Sequence, residues 1–267
     1  MKIGIIGCGT IGAEVAKAIF TGTLPGYVLC GLHDLKEGQA ASLSRQLNGG
    51  VPVSSLEPLV GISDILFEAT AKAAMPDIVE RAIHYRKAIV TMSVGGFVDR
   101  PDLIESAQAR GVHLYLPSGA LGGIDALLAG KEAGLNHVTL TTTKHPRSLH
   151  GAPYLANRNM TLDGVDKPTV IFTGTAREAI EGFPANANVA ITLSLAGIGM
   201  DRTGVQIIAD PECKRTKQEV VAEGPFGVIR TVTEGIVAPH NPRTGYLAIL
   251  SAIAVLRRIA SSTRIGT

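Results

Sequence analysis

A strand that runs into glycines and straight on into a helix leaves a chain few folds to choose from. Residues 1–20, MKIGIIGCGTIGAEVAKAIF, form such a stretch. Ile3, Ile5 and Ile6 make an unbroken apolar run, as expected of a strand buried on both faces. Gly7, Gly9 and Gly12 then fall in a G-x-G-x-x-G frame enclosing Thr10 and Ile11, and Ala13, Val15, Ala16, Ile19 and Phe20 continue at helical spacing. Such a turn presents unpaired backbone N–H groups at the positive end of a helix, a cradle for a pyrophosphate. Gly7 serves the tight turn, Gly9 the close approach of the diphosphate and Gly12 the packing of helix on strand. Gly7, Gly9, Thr10, Ile11 and Gly12 are therefore candidate cofactor-binding residues.

Val28 to Leu32 reads as the second strand, with His33 and Asp34 at its end. Asp34 lies about 20 residues beyond the last glycine, where a carboxylate accepts hydrogen bonds from the adenosine ribose hydroxyls. The expected cofactor is a nicotinamide dinucleotide. Asp34 repels a 2′-phosphate and so favours NAD, while Lys36 softens that preference and keeps NADP admissible.

Beyond this point strand and helix alternate. Asp64 to Thr70 and Lys87 to Met92 read as buried strands, Met75 to His84 and Asp102 to Arg110 as helices, and Val112 to Leu116 as a further strand. In a doubly wound sheet ligands gather at the carboxyl ends of the strands, which puts Thr70, Ser93 and Gly95 near the cofactor. The glycine-rich turn from Pro117 to Gly123 changes the texture and marks a domain boundary. Past it come a helix from Ile124 and strands at 137–143 and 168–173 around a polar loop, 144–163. Helices follow at 175–181 and 185–196, then strands at 205–209, 218–223 and 228–232. Tyr246 to Ala260 is a strongly apolar helix expected to pack back on the first half. The fold class is thus α/β: an N-terminal Rossmann doubly wound parallel sheet plus a second α+β domain with a mixed sheet. Residues 1–117, completed by a C-terminal helix within 240–267, make the dinucleotide-binding domain. Residues 118–239 make a substrate-binding and dimerisation domain.

A formal charge of +2, with no basic run and no series of stacking aromatics, argues against nucleic acid as a partner. Cys8, Cys30 and Cys213 form neither a CxxC pair nor a metal spacing, so they read as reduced thiols and nothing calls for a metal. No apolar run reaches the ~18 residues of a membrane span, and residues 1–20 lack a signal-peptide pattern. The expected location is cytoplasmic.

Several motifs together resemble the L-aspartate dehydrogenase family: GCGTIG at 7–12, MSVGGF at 92–97, PSGALGGIDAL at 117–127, FPANANVAITLSLAG at 183–197, DRT at 201–203, IADP at 208–211, EGPFG at 223–227 and NPRTGYLAILSAIAVLRR at 241–258. The resemblance implies reversible NAD(P)-dependent oxidation of L-aspartate to iminoaspartate. The imine then hydrolyses to oxaloacetate and ammonia or is diverted toward nicotinamide cofactor synthesis. It also implies a homodimer and a nicotinamide ring aimed at a cleft between the halves. Family positions lining the nicotinamide site match Gly122, where alanine is usual, and Asn188.

One departure bears on the chemistry. Where the family places its catalytic histidine, this chain has Gln218, with Thr216 in place of a preceding asparagine. Glutamine donates and accepts hydrogen bonds but does not titrate near neutrality. The candidate catalytic residues are therefore Gln218, His240 as a replacement base, and Lys144, which with Arg147 forms a clamp suited to a dicarboxylic amino acid. His150 is a weaker substitute. His33, His84 and His113 read as structural. Two other readings follow from Gln218: a family member retargeted to another amino or hydroxy acid, or a dinucleotide-binding regulatory protein with weakened turnover.

Overall fold

The computed structural model describes residues 1–36, 38–184 and 187–266, and for residues 242 and 243 the backbone alone. Two compact units divide the chain. The first holds Met1–Pro117, Pro239–Thr244 and Ala248–Arg264; the second holds Ser118–Ala238, Gly245–Leu247 and residues 265–267.

In the first unit, β1 (Lys2–Ile6), β2 (Val28–His33), β3 (Ile65–Glu68), β4 (Ala88–Thr91) and β5 (Leu114–Tyr115) form one sheet in the order β2-β1-β3-β4-β5, every pair parallel. Between them run α1 (Thr10–Phe20), α2 (Gln39–Gln46), α3 (Leu56–Ile62), α4 (Met75–His84), α5 (Gly96–Asp99) and α6 (Asp102–Ala109). Ile3, Ile5, Ile65, Leu66 and Phe67 are all but fully buried, as a parallel sheet covered on both faces requires. The strand order reverses between β1 and β3, so loops leaving the carboxyl ends of these strands surround the crevice where such sheets bind ligands. Two helices not expected from the sequence, α2 and α3, fill the stretch between β2 and β3. They are short, and α2 shows only Ala40, Leu43 and Ser44 as its buried stripe. β5 is only two residues long, against the five expected.

The second unit contains α7 (Ile124–Lys131), β6 (His137–Lys144), α8 (Pro153–Ala156), β7 (Thr169–Thr175), α9 (Ala176–Gly182), α10 (Asn188–Ala196), β8 (Gly204–Ala209), β9 (Thr216–Gly224) and β10 (Gly227–Gly235). Its sheet runs β10-β9-β6-β8-β7, with β6 and β8 parallel and the other pairs antiparallel. Burial alternates along β6, β8 and β9, so one face carries the core and the other does not. That core gathers Leu140, Phe172, Phe183, Leu193 and Val205. Thr175 and Glu178 close a reciprocal capping box that starts α9. Residues 185 and 186, where the helix over 185–196 was expected to begin, lie outside the described residues; α10 starts at Asn188.

β11 (Val237–Ala238), β12 (Asn241–Gly245) and α11 (Tyr246–Ala260) end the chain, β12 standing where a loop was expected. Ala252 and Leu256 of α11 are fully buried in the core around Ile3, Ile5 and Val15. The hydroxyl of Tyr27 donates to the Leu256 carbonyl at 2.7 Å, and burial pushes this phenol up to about 12.

Candidate functional site

In the first unit the site is built from main-chain geometry. Gly7 has φ +93°, and a side chain there would put Cβ 2.4 Å from the Ala69 carbonyl oxygen. Its N–H donates to the His33 carbonyl at 2.8 Å, so the turn is wedged between the ends of β2 and β3. At Gly12 a Cβ would stand 1.9 Å from the Gly7 carbonyl oxygen, which explains why the helix can start so close to the turn. Gly9 differs: a Cβ there meets nothing within 4 Å. It precedes α1, whose N-terminus has no side-chain cap, so the first-turn amides of Thr10 and Ile11 are left for an anion. The Ile11 side chain packs on the core, and the Thr10 hydroxyl accepts from Asn241 Nδ2 at 2.7 Å.

Asp34 holds this turn. Its Oδ2 accepts from the Cys8 N–H at 2.7 Å and its Oδ1 from the Lys36 N–H at 2.8 Å, while Gln39 Nε2 donates to the Cys8 carbonyl at 3.2 Å. The peptide at Cys8 is thus gripped from both sides. Each carboxylate oxygen keeps a further lone pair for a ribose hydroxyl. Burial, and after it the Asp34 charge, pushes the Cys8 thiol up to about 12, which removes it as a nucleophile at neutral pH.

Thr70 and Ser93, singled out for their place past β3 and β4, are brought together by a residue the sequence reading passed over. Glu68 at the end of β3 is fully buried and accepts from both. The signal for it was an acid inside the apolar run ILFEA, where an unpaired charge is costly.

In the second unit the site is a row of side chains set by strand register. Gln218 of β9 faces Thr142 of β6 on one side and Thr233 of β10 on the other. Directly paired residues share a face. Gln218 is 5 % exposed, and its Oε1 accepts from the Thr142 hydroxyl at 2.7 Å, which turns the amide nitrogen away from Thr142. Thr233 donates to the Ala120 carbonyl at 2.8 Å, and Thr231 to the Gly122 carbonyl at 3.0 Å. The 117–123 turn is therefore strapped to β10 through Thr231 and Thr233, the second of which is the register partner of Gln218. A Cβ on Gly122 would lie 3.0 Å from the Thr233 methyl, so that methyl occupies the room an alanine would need.

Lys144 closes β6 two residues after Thr142, hence on the same face. Its carbonyl accepts from the Asp210 N–H at 2.9 Å, which lays the IADP segment beside it. Burial lowers the Lys144 pKa, with Cys213 opposing the shift. Arg147 and His150 are exposed, and the Arg147 N–H donates to His145 Nδ1 at 3.1 Å. Asn188 is exposed at the start of α10, an end without a side-chain cap. His240 is exposed in a turn assigned to the first unit. His33 bonds the Ser54 carbonyl through Nδ1, and His84 and His113 pack against Tyr85 and Tyr115.

No helix among the described residues is long and apolar enough to cross a membrane. Residues 125–259 match the family model described as the C-terminal domain of aspartate dehydrogenase, and residues 7–117 match the NAD-binding domain of homoserine dehydrogenase. The L-aspartate dehydrogenase of Methanococcoides burtonii is 42% identical over 271 residues, and that of Methanosarcina mazei 42% over 273, each alignment covering 100% of both chains. Among solved structures, aspartate dehydrogenase from Thermotoga maritima superposes with a TM-score of 0.77 at 23% identity, covering 100% of this chain and 99% of that one; at that identity the likeness speaks for the fold.

Proposed function

The chain belongs to the L-aspartate dehydrogenase family, and from that premise we propose that it oxidises L-aspartate to iminoaspartate with NAD, the imine hydrolysing to oxaloacetate and ammonia. The observation that carries the reading is the uncapped start of α1 beneath a glycine turn pinned by Asp34. An Asp34 carboxylate at the ribose favours NAD over NADP, because a 2′-phosphate would meet its charge. In this reading residues 1–117 with α11 hold the dinucleotide and residues 118–239 hold the substrate.

When bound, the nicotinamide accepts the hydride that leaves the substrate Cα. The chain's own residues handle position and protons. Gln218, its Oε1 taken by Thr142, offers its amide N–H groups to a substrate carboxylate. It cannot take the proton that the family histidine would. Lys144, whose charge burial disfavours, accepts the proton from the substrate amine. Arg147 remains as the carboxylate clamp, Asn188 and Gly122 as the nicotinamide-side contacts, and His240 as the second candidate base. The chain works as a homodimer in the cytoplasm. The outward face of β10, with Val228 and Val232 more than half exposed, supports the dimer, and light scattering tests it.

The direct experiment is NADH formation from L-aspartate at alkaline pH, beside NADP and a panel of amino and hydroxy acids. Aspartate with NAD is expected to give the highest kcat/KM. Turnover of a different acid favours the retargeted reading that Gln218 raises. Bound NAD with no turnover of any substrate overturns the enzyme reading in favour of a regulatory one.

A further inference from the structure

The fully buried carboxylate of Glu68 collects hydrogen bonds from the loops that leave β3 and β4. Its Oε1 accepts from the Thr70 N–H at 2.6 Å, the Thr70 hydroxyl at 2.6 Å and the Ser93 hydroxyl at 2.7 Å. Its Oε2 accepts from the Ser93 N–H at 3.2 Å and from the hydroxyl of Thr91, its register partner across the sheet. Among the described residues no ion pair includes Glu68. A carboxylate buried in this way is held by hydrogen bonds alone, and all the donors come from residues at the carboxyl edge of the sheet.

This arrangement fixes the direction of two protons. A hydroxyl has one O–H to give and lone pairs to accept with. The Thr70 proton goes to Glu68 Oε1 at 2.6 Å rather than to the Ala71 carbonyl at 3.5 Å. The Ser93 proton goes to Glu68 Oε1 or to the Thr70 carbonyl at 2.9 Å, and either choice uses it up within the protein. Neither hydroxyl has a proton left for a ligand.

We propose that Glu68 is a positioning residue that makes Thr70 and Ser93 acceptor-only contacts, so that this part of the cofactor site takes ribose hydroxyls or carboxamide N–H groups and rejects phosphate oxygens. The inference rests on the dinucleotide reading above and divides the site in two. The glycine turn serves the diphosphate through N–H donors; the edge of β3 and β4 serves the donor groups of the nicotinamide riboside. Replacing Glu68 with an amide puts donors where an acceptor stood, which frees or reverses the two hydroxyls.

Isothermal calorimetry with NAD and with ADP on the full chain tests it. Glu68→Gln is expected to weaken NAD at least tenfold and leave ADP within twofold of wild type, because ADP has no nicotinamide riboside. Ser93→Ala and Thr70→Val, which lose the oxygen and keep the carboxylate, are expected to show the same NAD-only loss and stand in if Glu68→Gln does not fold. Unchanged NAD affinity in all three variants overturns the proposal, as does an equal loss of NAD and ADP, which marks a merely structural role. A wild-type protein that binds neither nucleotide overturns the functional reading itself, and the proposal with it.

Discussion

The glycine turn of the first unit and the strand row of the second are built by opposite means. At the turn, main-chain atoms define the shape. Gly7 and Gly12 exclude a Cβ because carbonyl oxygens stand where it would go, and Asp34 and Gln39 grip the Cys8 peptide rather than a side chain. In the row, Thr142, Gln218 and Thr233 stand side by side because three strands are in register, and Thr142 bonds Gln218 through its side chain. The main-chain site leaves no room for a side chain at Gly7 or Gly12. A side-chain site can exchange one polar residue for another at a given register position, and with it change which groups donate, accept or titrate. Chemistry changes more easily in the second kind of site than in the first.

The sharpest way to break this contrast is Gly12→Ala. With Cβ 1.9 Å from the Gly7 carbonyl oxygen, helix and turn must separate, and a loss of more than about 3 kcal/mol in stability, or of all NAD binding, is expected by melting and calorimetry. Lys144→Met comes next. If Lys144 takes the proton, kcat falls roughly 10²–10⁴-fold with little change in the KM for aspartate, whereas a mere clamp would raise KM. In the wild type, kcat rises with pH until Lys144 is neutral, at a pH below the ordinary lysine value of 10.5. The same shift has a sign in stability. Between the lowered pKa and 10.5 the unfolded chain binds more protons than the folded one, so stability rises with pH across that window, and Lys144→Met flattens the rise. Gly9→Ala sharpens the comparison within the turn. Its Cβ meets no protein atom, so the melting temperature stays put while NAD binds about tenfold more weakly, because the new methyl stands in the diphosphate's space. The smallest effect is Tyr27→Phe, which removes one buried hydrogen bond to Leu256 and costs about 1 kcal/mol in denaturant titration with no change in NAD affinity.

What the sequence made legible follows the same line. Gly7, Gly9, Gly12 and Asp34 could be read from spacing because the turn is local and its next support is the end of the adjacent strand. The parallel half and the mixed half were legible from strand and helix periodicity, and α11 from its apolar stripe. Gln218 was located only through the family's motif order, and its partners Thr142 and Thr233 were not seen, because pairing across strands is set by long-range register that no local window carries. Glu68 was read as one more residue of a buried strand; an acid in an apolar run was the clue. The helices α2 and α3 were missed because their buried stripes span barely two turns, and β12 because its five residues, NPRTG, include a proline and a glycine.

Tyr27 and Leu256 touch across 229 residues of chain, and that reach has a cost during biosynthesis. The first 117 residues leave the ribosome without Ala252 and Leu256, which are buried in their core, and residues 118–238 of the second unit are translated before those two arrive. Nascent chains stalled ahead of α11 should therefore hold an open, protease-sensitive amino-terminal half.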